Sequence, residues 1–419
     1  DYLASDGGST ITYSTSSFAN NIAGLGRDDS AGLYQKQSQS INGSIQLAVS
    51  LGSVSESNES NVNTIAADRQ YLVWGDNNGA LTVGAVTGWT NVTSRLNRIW
   101  KVQNTNGFNE QVTVYIPTST LNSLPGVKYL MYSNSSTLAG GGTEVASSAT
   151  TMIGGVSYTG FQVRFPETDV LYFGFGSKAI YPGNVASNAA VWLRADQGIT
   201  STGTSVSSWA NLVNASNNFT SNNTTIINDN LVNFNPSVLF AGNNSLVSQT
   251  NAPTGGNYTK FVVFRSTGSG NLLSSYGGGT GALYLPGNQF TIFHNSTIYS
   301  SPRVLNPGQQ YLGTAVFSSG TTNGTFTRIN GFTDNAVTSS APYTASRLHL
   351  GSHNTGSYLT AGSNIAEAIV YNTALSVNNI RQIESYLALK YGLNLTTDYI
   401  ASDGTTITYA IDDFKYNIA

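Results

Sequence analysis

The chain has 419 residues, more than one ordinary domain holds, so two or three domains are expected. Only 9% of the residues are charged and the net charge is −3, which disfavours a nucleic-acid partner, because such partners select basic stripes. The lack of cysteine excludes a disulfide scaffold and any thiolate metal site or nucleophile, and the lack of a run of about 18 apolar residues excludes a membrane-spanning helix. Glycine and proline lie near average usage, so the chain is neither collagen-like nor a linker, and its 17 Phe, 23 Tyr and 5 Trp suffice for real cores. With Asp1 at its head and no leader-like segment, it reads as a mature product or an excised piece.

In chain order, most periodicity is of strand type. YLVWGDNNGALTV places Asn78-Gly79 at a hairpin turn, since Asn-Gly accepts the positive φ values of a type I′ turn. QVTVYI (111–116) and FQVRF (161–165) alternate as half-buried strands do, whereas VLYFGF (170–175) is dense enough for a strand covered on both faces. A boundary falls near residue 180, where FGFGSKAIYPGN leads into a turn-rich connector. Beyond it, YTKFVVFR (258–265) and IAEAIVY (365–371) are again doubly covered strands, and FTRI (326–329) alternates before a second Asn-Gly turn at Asn330-Gly331. SVNNIRQIESYLALKYGL predicts a helix with Ser376 as its N-cap and Gly392 as its left-handed C-terminal residue. Ile380, Ile383, Leu387 and Tyr391 share one face of it, and a lone helix in this position is expected to cover the end or edge of a sandwich.

Residues 1–23, DYLASDGGSTITYSTSSFANNIA, return as 398–419, DYIASDGTTITYAIDDFKYNIA. With one gap, 14 of 22 aligned positions are identical, among them Asp1/Asp398, Tyr2/Tyr399, Phe18/Phe414 and Asn21/Asn417. The simplest account is a tandem array with a period of about 397 residues, each module holding two β-domains. The repeated segment then either packs between successive modules or starts the next domain directly.

Catalytic patterns are scarce. A retaining glycosidase needs two carboxylates about 5–5.5 Å apart. The seven glutamates (56, 59, 110, 144, 167, 367 and 384) form no Glu-x-Asp-x-Glu strand face. His349 and His353 stand four apart, but RLHLGSHN reads as a strand entering a turn, and His294 stands apart from both. YGGGTGALY (276–284) lacks the lysine and helix start of a phosphate loop. No catalytic residue is assigned, ligand-binding and metal-binding residues stay unassigned, and no cofactor is required. Trp89, Tyr276 and Tyr299 sit in turn-like text where a sugar ring could stack, though packing is the commoner role. Ca²⁺ is the candidate cation, at Arg27-Asp28-Asp29-Ser30 or in the Asp196 loop, with solvated turn aspartates as the plainer reading.

The second segment carries Trp192–Asp196 (WLRAD), Ser207–Ala210 (SSWA), then Ala366, Glu367 and Tyr371, then the helix. This pattern resembles the laminin-G-like, concanavalin-type jelly-roll modules of large Bacteroidota surface proteins. The first segment, with DYLASDG, YLVWGDNNGAL and RIWKVQ (98–103), is similar to a β-rich domain of repeat-built adhesins of gliding Bacteroidota. In that setting Asp29-Ser30-Ala31 resembles a short O-glycosylation signal, and calcium at one loop edge is common among the laminin-G-like relatives. The resemblance implies an all-β chain of two β-sandwich domains in tandem, 1–180 and 181–397, the second a concanavalin-like jelly roll with one C-terminal helix. Residues 398–419 start the next copy. It further implies a non-enzymatic structural repeat of a long extracellular adhesin or surface filament, acting in adhesion or gliding motility and exported by the type IX system. Its expected partners are neighbouring copies and surface glycans, with no nucleic acid and no membrane insertion. A carbohydrate-binding lectin module is the alternative.

Overall fold

The computed structural model describes residues 2–7, 10–11, 17–41, 45–166, 170–254, 256–275, 281–294, 297–340, 346–353 and 356–414. Among the described residues the chain is all-β with one long helix, and it divides into two units, Asp1–Ile180 and Tyr181–Ala419.

The first unit is a sandwich of two antiparallel sheets. The larger sheet includes, in spatial order, Val127–Ser133, Leu171–Lys178, Trp100–Thr105, Gln70–Asp76 and Asn20–Asp28. The smaller runs Ala149–Ile153, Val156–Val163, Val112–Pro117, Ala48–Leu51, Gln37–Gln39. Alternation along the strands sends Leu72 and Trp74 from one sheet toward Val112, Val114 and Ile116 from the other. Trp100 anchors this core, with ring centroids 5.7 Å from Phe173 and 5.2 Å from Phe175. The repeated segment enters the sandwich here. Phe18 packs with Val92, Ile99, Met131 and Leu138, and Asn21 donates through Nδ2 to the buried Asp76 carboxylate at 2.8 Å. It therefore begins this domain directly.

Asn78-Gly79 is not a hairpin turn, contrary to the sequence expectation. Gln70–Asp76 pairs with Trp100–Thr105 and Asn20–Asp28, not with the residues that follow it. Local side chains hold the loop open. Asn77 Oδ1 accepts from the amides of Gly79 and Ile99, Asp76 Oδ1 accepts from the Asn78 amide, and Arg98 Nε donates to the Gly79 carbonyl at 2.7 Å. These bonds tie the loop to 98–99 and hand the pairing to the next strand. Asn330-Gly331 does form the expected turn: φ is 50° and 82° at the two residues, and Ile329 pairs with Phe332.

Most strands of the second unit form one continuous antiparallel sheet folded into a jelly-roll sandwich, with two small two-stranded sheets beside it. Tyr258–Arg265 lies between Ser363–Tyr371 and Gln310–Phe317. Val262, Phe264, Ala368 and Val370 face the inner core, where they meet Leu273, Leu283, Ile292 and Leu350 from the opposing layer. Phe261, Val263, Ala366 and Ile369 face the other way, onto the helix Val377–Tyr391. Both faces of these strands are thus buried, which is why they read as unbroken apolar runs. The helix covers a sheet face rather than an end or edge of the sandwich. Its apolar residues Ile380, Ile383, Leu387 and Tyr391 close a second core above that face. Ser376 Oγ accepts from the Asn379 amide at 3.2 Å, and Gly392 takes φ 65°.

Candidate functional site

The motif residues of the second unit converge beneath the helix. Glu367 is 1% exposed and accepts from Trp192 Nε1 at 2.7 Å, Tyr391 OH at 2.8 Å, Lys390 Nζ at 2.9 Å and Tyr386 OH at 3.0 Å. Lys390 also reaches Asp196 at 3.0 Å, and Arg194 pairs with the same carboxylate at 2.7 Å. Burial pushes the Asp196 carboxyl up, but the hydrogen bonds and charges of Arg194 and Lys390 outweigh it and hold the group below its ordinary value. Burial together with Glu367 pushes the Tyr386 and Tyr391 hydroxyls well above the usual phenol range, so both act as neutral donors. Trp209 Nε1 donates to the Arg194 carbonyl and Tyr371 OH to the Val185 carbonyl. On the opposite flank of the helix, Arg328 grips Glu384 through two bonds of 2.9 Å, joined by Thr314. These residues staple helix to sheet.

The other sequence candidates also have structural occupations. Glu144 accepts from the amides of Asn91 and Val92, and Glu110 accepts from the Ala66 amide. Asp29 is held by Arg27 through two bonds, and Asp28 is buried and takes donors from Ser5, Tyr71 and Ala31. Among the described residues, no three His, Asp or Glu side chains gather as a cation would require. His294 is buried and stacks on Phe317 at 3.8 Å, while His349 lies on a strand beside Ser352, its pKa pushed down to about 4 by burial, Arg347 and His353. Trp89 Nε1 donates to the Leu138 carbonyl and Tyr299 OH to Ser339, so both rings serve edge packing. Tyr276, Glu167 and residues 276–280 of the glycine-rich run lie outside the described residues.

The arrangement with no evident internal purpose is the repeated hairpin. At the N-terminus Tyr2–Leu3 pairs with Thr10–Ile11, and near the C-terminus Tyr399–Ile400 pairs with Ile407–Tyr409. Both copies form hairpins, but in different register, since Leu3 pairs with Thr10 whereas Ile400 pairs with Ile407, the counterpart of Ile11, and they lie against different surfaces. The first rests on its sandwich: the Ser5 amide and Oγ donate to Asp28 at 2.8 and 2.6 Å, Asp6 pairs with Arg69 at 2.9 Å, and Ala4 packs on Tyr71 and Val73. Beside it opens an apolar groove of about 530 Å³, lined by Leu3, Ala4, Ile22, Leu33, Tyr71 and Val73 among others. The second copy rests on the helix. Ser385 Oγ accepts from the Ile400 amide at 2.9 Å, Gln382 Nε2 donates to the Ser402 carbonyl at 3.0 Å, and Asn378 Nδ2 donates to the Gly404 carbonyl at 2.8 Å. The buried Tyr399 OH donates to the Leu393 carbonyl. The repeat marked this segment in the sequence, but its contacts with Asp28 and with the helix had no local signal.

A family model described as "Domain of unknown function (DUF8202)" matches residues 1–165 and 379–419. One model thus covers both ends of the chain, and the second stretch begins within the helix and runs on through the hairpin. Comparison with curated proteins finds no match. Among solved structures, domain 4 of AbnA, a GH43 extracellular arabinanase from Geobacillus stearothermophilus, is similar at 13% identity over 48% of this chain and 99% of that chain, with a TM-score of 0.35. Trypanosoma rangeli sialidase is similar at 11% identity over 83% and 82%, with a TM-score of 0.35. A botulinum neurotoxin type C structure is similar at 10% identity over 50% and 53%, with a TM-score of 0.36. Likenesses this loose carry no functional argument.

Proposed function

We propose that the chain is a non-enzymatic structural repeat of a long extracellular adhesin or surface filament, acting in cell-surface adhesion or gliding motility and exported by the type IX route. The observation that carries this reading is the hairpin that one repeated sequence forms at both ends of the chain, with one family model matching both ends. The use of Glu367, Glu384, Glu144 and Asp196 as internal staples supports a scaffold rather than a catalyst. Each sandwich buries its own core, so modules joined in series add length without new folding problems. Weak sites on many copies would combine through high effective concentration.

Antibodies raised against the second unit test the reading on intact source cells. Surface labelling, with weakened attachment or spreading in a strain lacking the gene, is the expected result. Labelling only after permeabilisation, or sustained release of reducing sugar by the pure protein, would overturn it. Calcium-dependent glycan binding by the isolated chain as a single copy would favour the lectin alternative.

A further inference from the structure

We infer that the repeated hairpin is a two-faced clip, and that its open face around Leu3 is the seat of the C-terminal helix of a second copy of this chain, the one preceding it in the array. This rests on the array reading proposed above and specifies how its copies join. Each hairpin displays one half of the contact. In the first hairpin Ala4 is buried against the sandwich, while Leu3 is 67% exposed. In the second, Ile400, the counterpart of Leu3, is held at Ser385 of the helix and is 5% exposed, beside the buried Tyr399, and Ala401 is half-buried.

The turn glycine follows the same rule. A Cβ on Gly404 would lie 3.0 Å from the side-chain amides of Asn378 and Gln382, whereas one on Gly7 would meet nothing within 4 Å. Leu3 and Ile400 are aliphatic isomers, so the exposed face keeps the chemistry that the helix accepts in the other copy. The polar atoms do not compete either. The sandwich engages the Ser5 amide, Ser5 Oγ and the Asp6 carboxylate. The helix engages the equivalents of the Leu3 amide and of the Ser5 and Gly7 carbonyls. One hairpin can therefore hold both partners at once, and the apolar groove beside Leu3 continues the surface offered to the helix. The family match that begins at 379 keeps helix and hairpin together as one stretch. Held on both faces, the hairpin fixes the junction between successive copies.

The test is a polypeptide of residues 1–397 followed directly by residues 1–419, examined by amide hydrogen exchange. Residues 2–7 at the internal junction should exchange about tenfold more slowly, or better, than residues 2–7 at the free N-terminus. Leu3→Asp in the junction copy should abolish the difference. Leu3 is exposed in the single chain, so that variant leaves the single chain's unfolding unchanged. Ser385→Ala in the preceding copy should speed exchange of the junction Leu3 amide while leaving the Ser5 amide protected. Equal exchange at the two hairpins would overturn the clip, even if the native polypeptide proves to be a long array. Slower exchange at the junction would stand even if the native polypeptide proves short, so the two ideas fail separately.

Discussion

Glu367→Ala is the sharpest probe of the second unit. The wild-type carboxylate is buried and accepts from four side chains on two elements: Trp192 on a strand, and Tyr386, Lys390 and Tyr391 on the helix. Removing it leaves an indole N–H, two hydroxyls and a mostly buried ammonium short of an acceptor, with Lys390 keeping Asp196 and Tyr391 OH keeping only a long bond of 3.5 Å to the Ala366 carbonyl. Breaking a buried pair from one side costs about 3–5 kcal/mol. For a unit of this size each kcal/mol moves the unfolding midpoint by roughly 2–4 °C, so about 4 kcal/mol becomes a fall of about 8–16 °C. Glu367→Gln keeps an acceptor oxygen and should cost only about 1–2 kcal/mol. Differential scanning calorimetry resolves the question, with the transition of the first unit as an internal reference. An alanine variant within about 2 °C of wild type would refute the claim that this carboxylate staples the helix.

Lys260 is fully buried and its pKa is pushed down to about 7 by desolvation, so from about pH 7 to 10 the unfolded chain binds a proton that the folded chain does not. Stability of the second unit should therefore rise across that window, by up to about 1.4 kcal/mol per pH unit relative to Lys260→Met, and parallel urea titration profiles for the two proteins would contradict this. Gly331→Ala places a side chain at φ 82° in the Asn330-Gly331 turn and should destabilise by about 1–2 kcal/mol, measured as a lower urea midpoint. Hydrogen bonds from Ser5 and Tyr71 hold the Asp28 carboxyl well below the usual carboxylate range. Its hold on the hairpin should be complete above about pH 4 and lost as pH falls toward the lower folded value. Asp28→Asn should accordingly speed exchange of the Ser5 amide at neutral pH, and an unchanged rate would remove Asp28 from the clip.

The helix was legible because its signals are local: a serine cap, a terminal glycine and four apolar residues on one face, all of which the structure uses. The strands 258–265 and 363–371 were legible because burial on both faces leaves no polar period. What the helix covers was not legible, since that depends on which residues of distant strands turn outward, such as Phe261 and Ala366. Asn78-Gly79 misled because an Asn-Gly pair speaks only for its own backbone. The pairing was decided by Asn77, Asp76 and Arg98, which bind the loop to a segment about 20 residues on. Glu367 was conspicuous in the sequence as part of a motif, but its role emerged only with four donors around it. Leu3 and Ala4 look like any two strand residues. Their opposite allegiances are visible only because the chain carries the hairpin twice, against two different surfaces.

The central claim is that this chain belongs to a tandem array, and the native size of the polypeptide tests it most directly. Surface material sheared from the source cells, run on a denaturing gel and probed with antibody to the second unit, should show a species of several hundred kilodaltons. A single band near 44 kDa, the mass of this chain alone, would contradict the array and leave the paired hairpins as an internal symmetry.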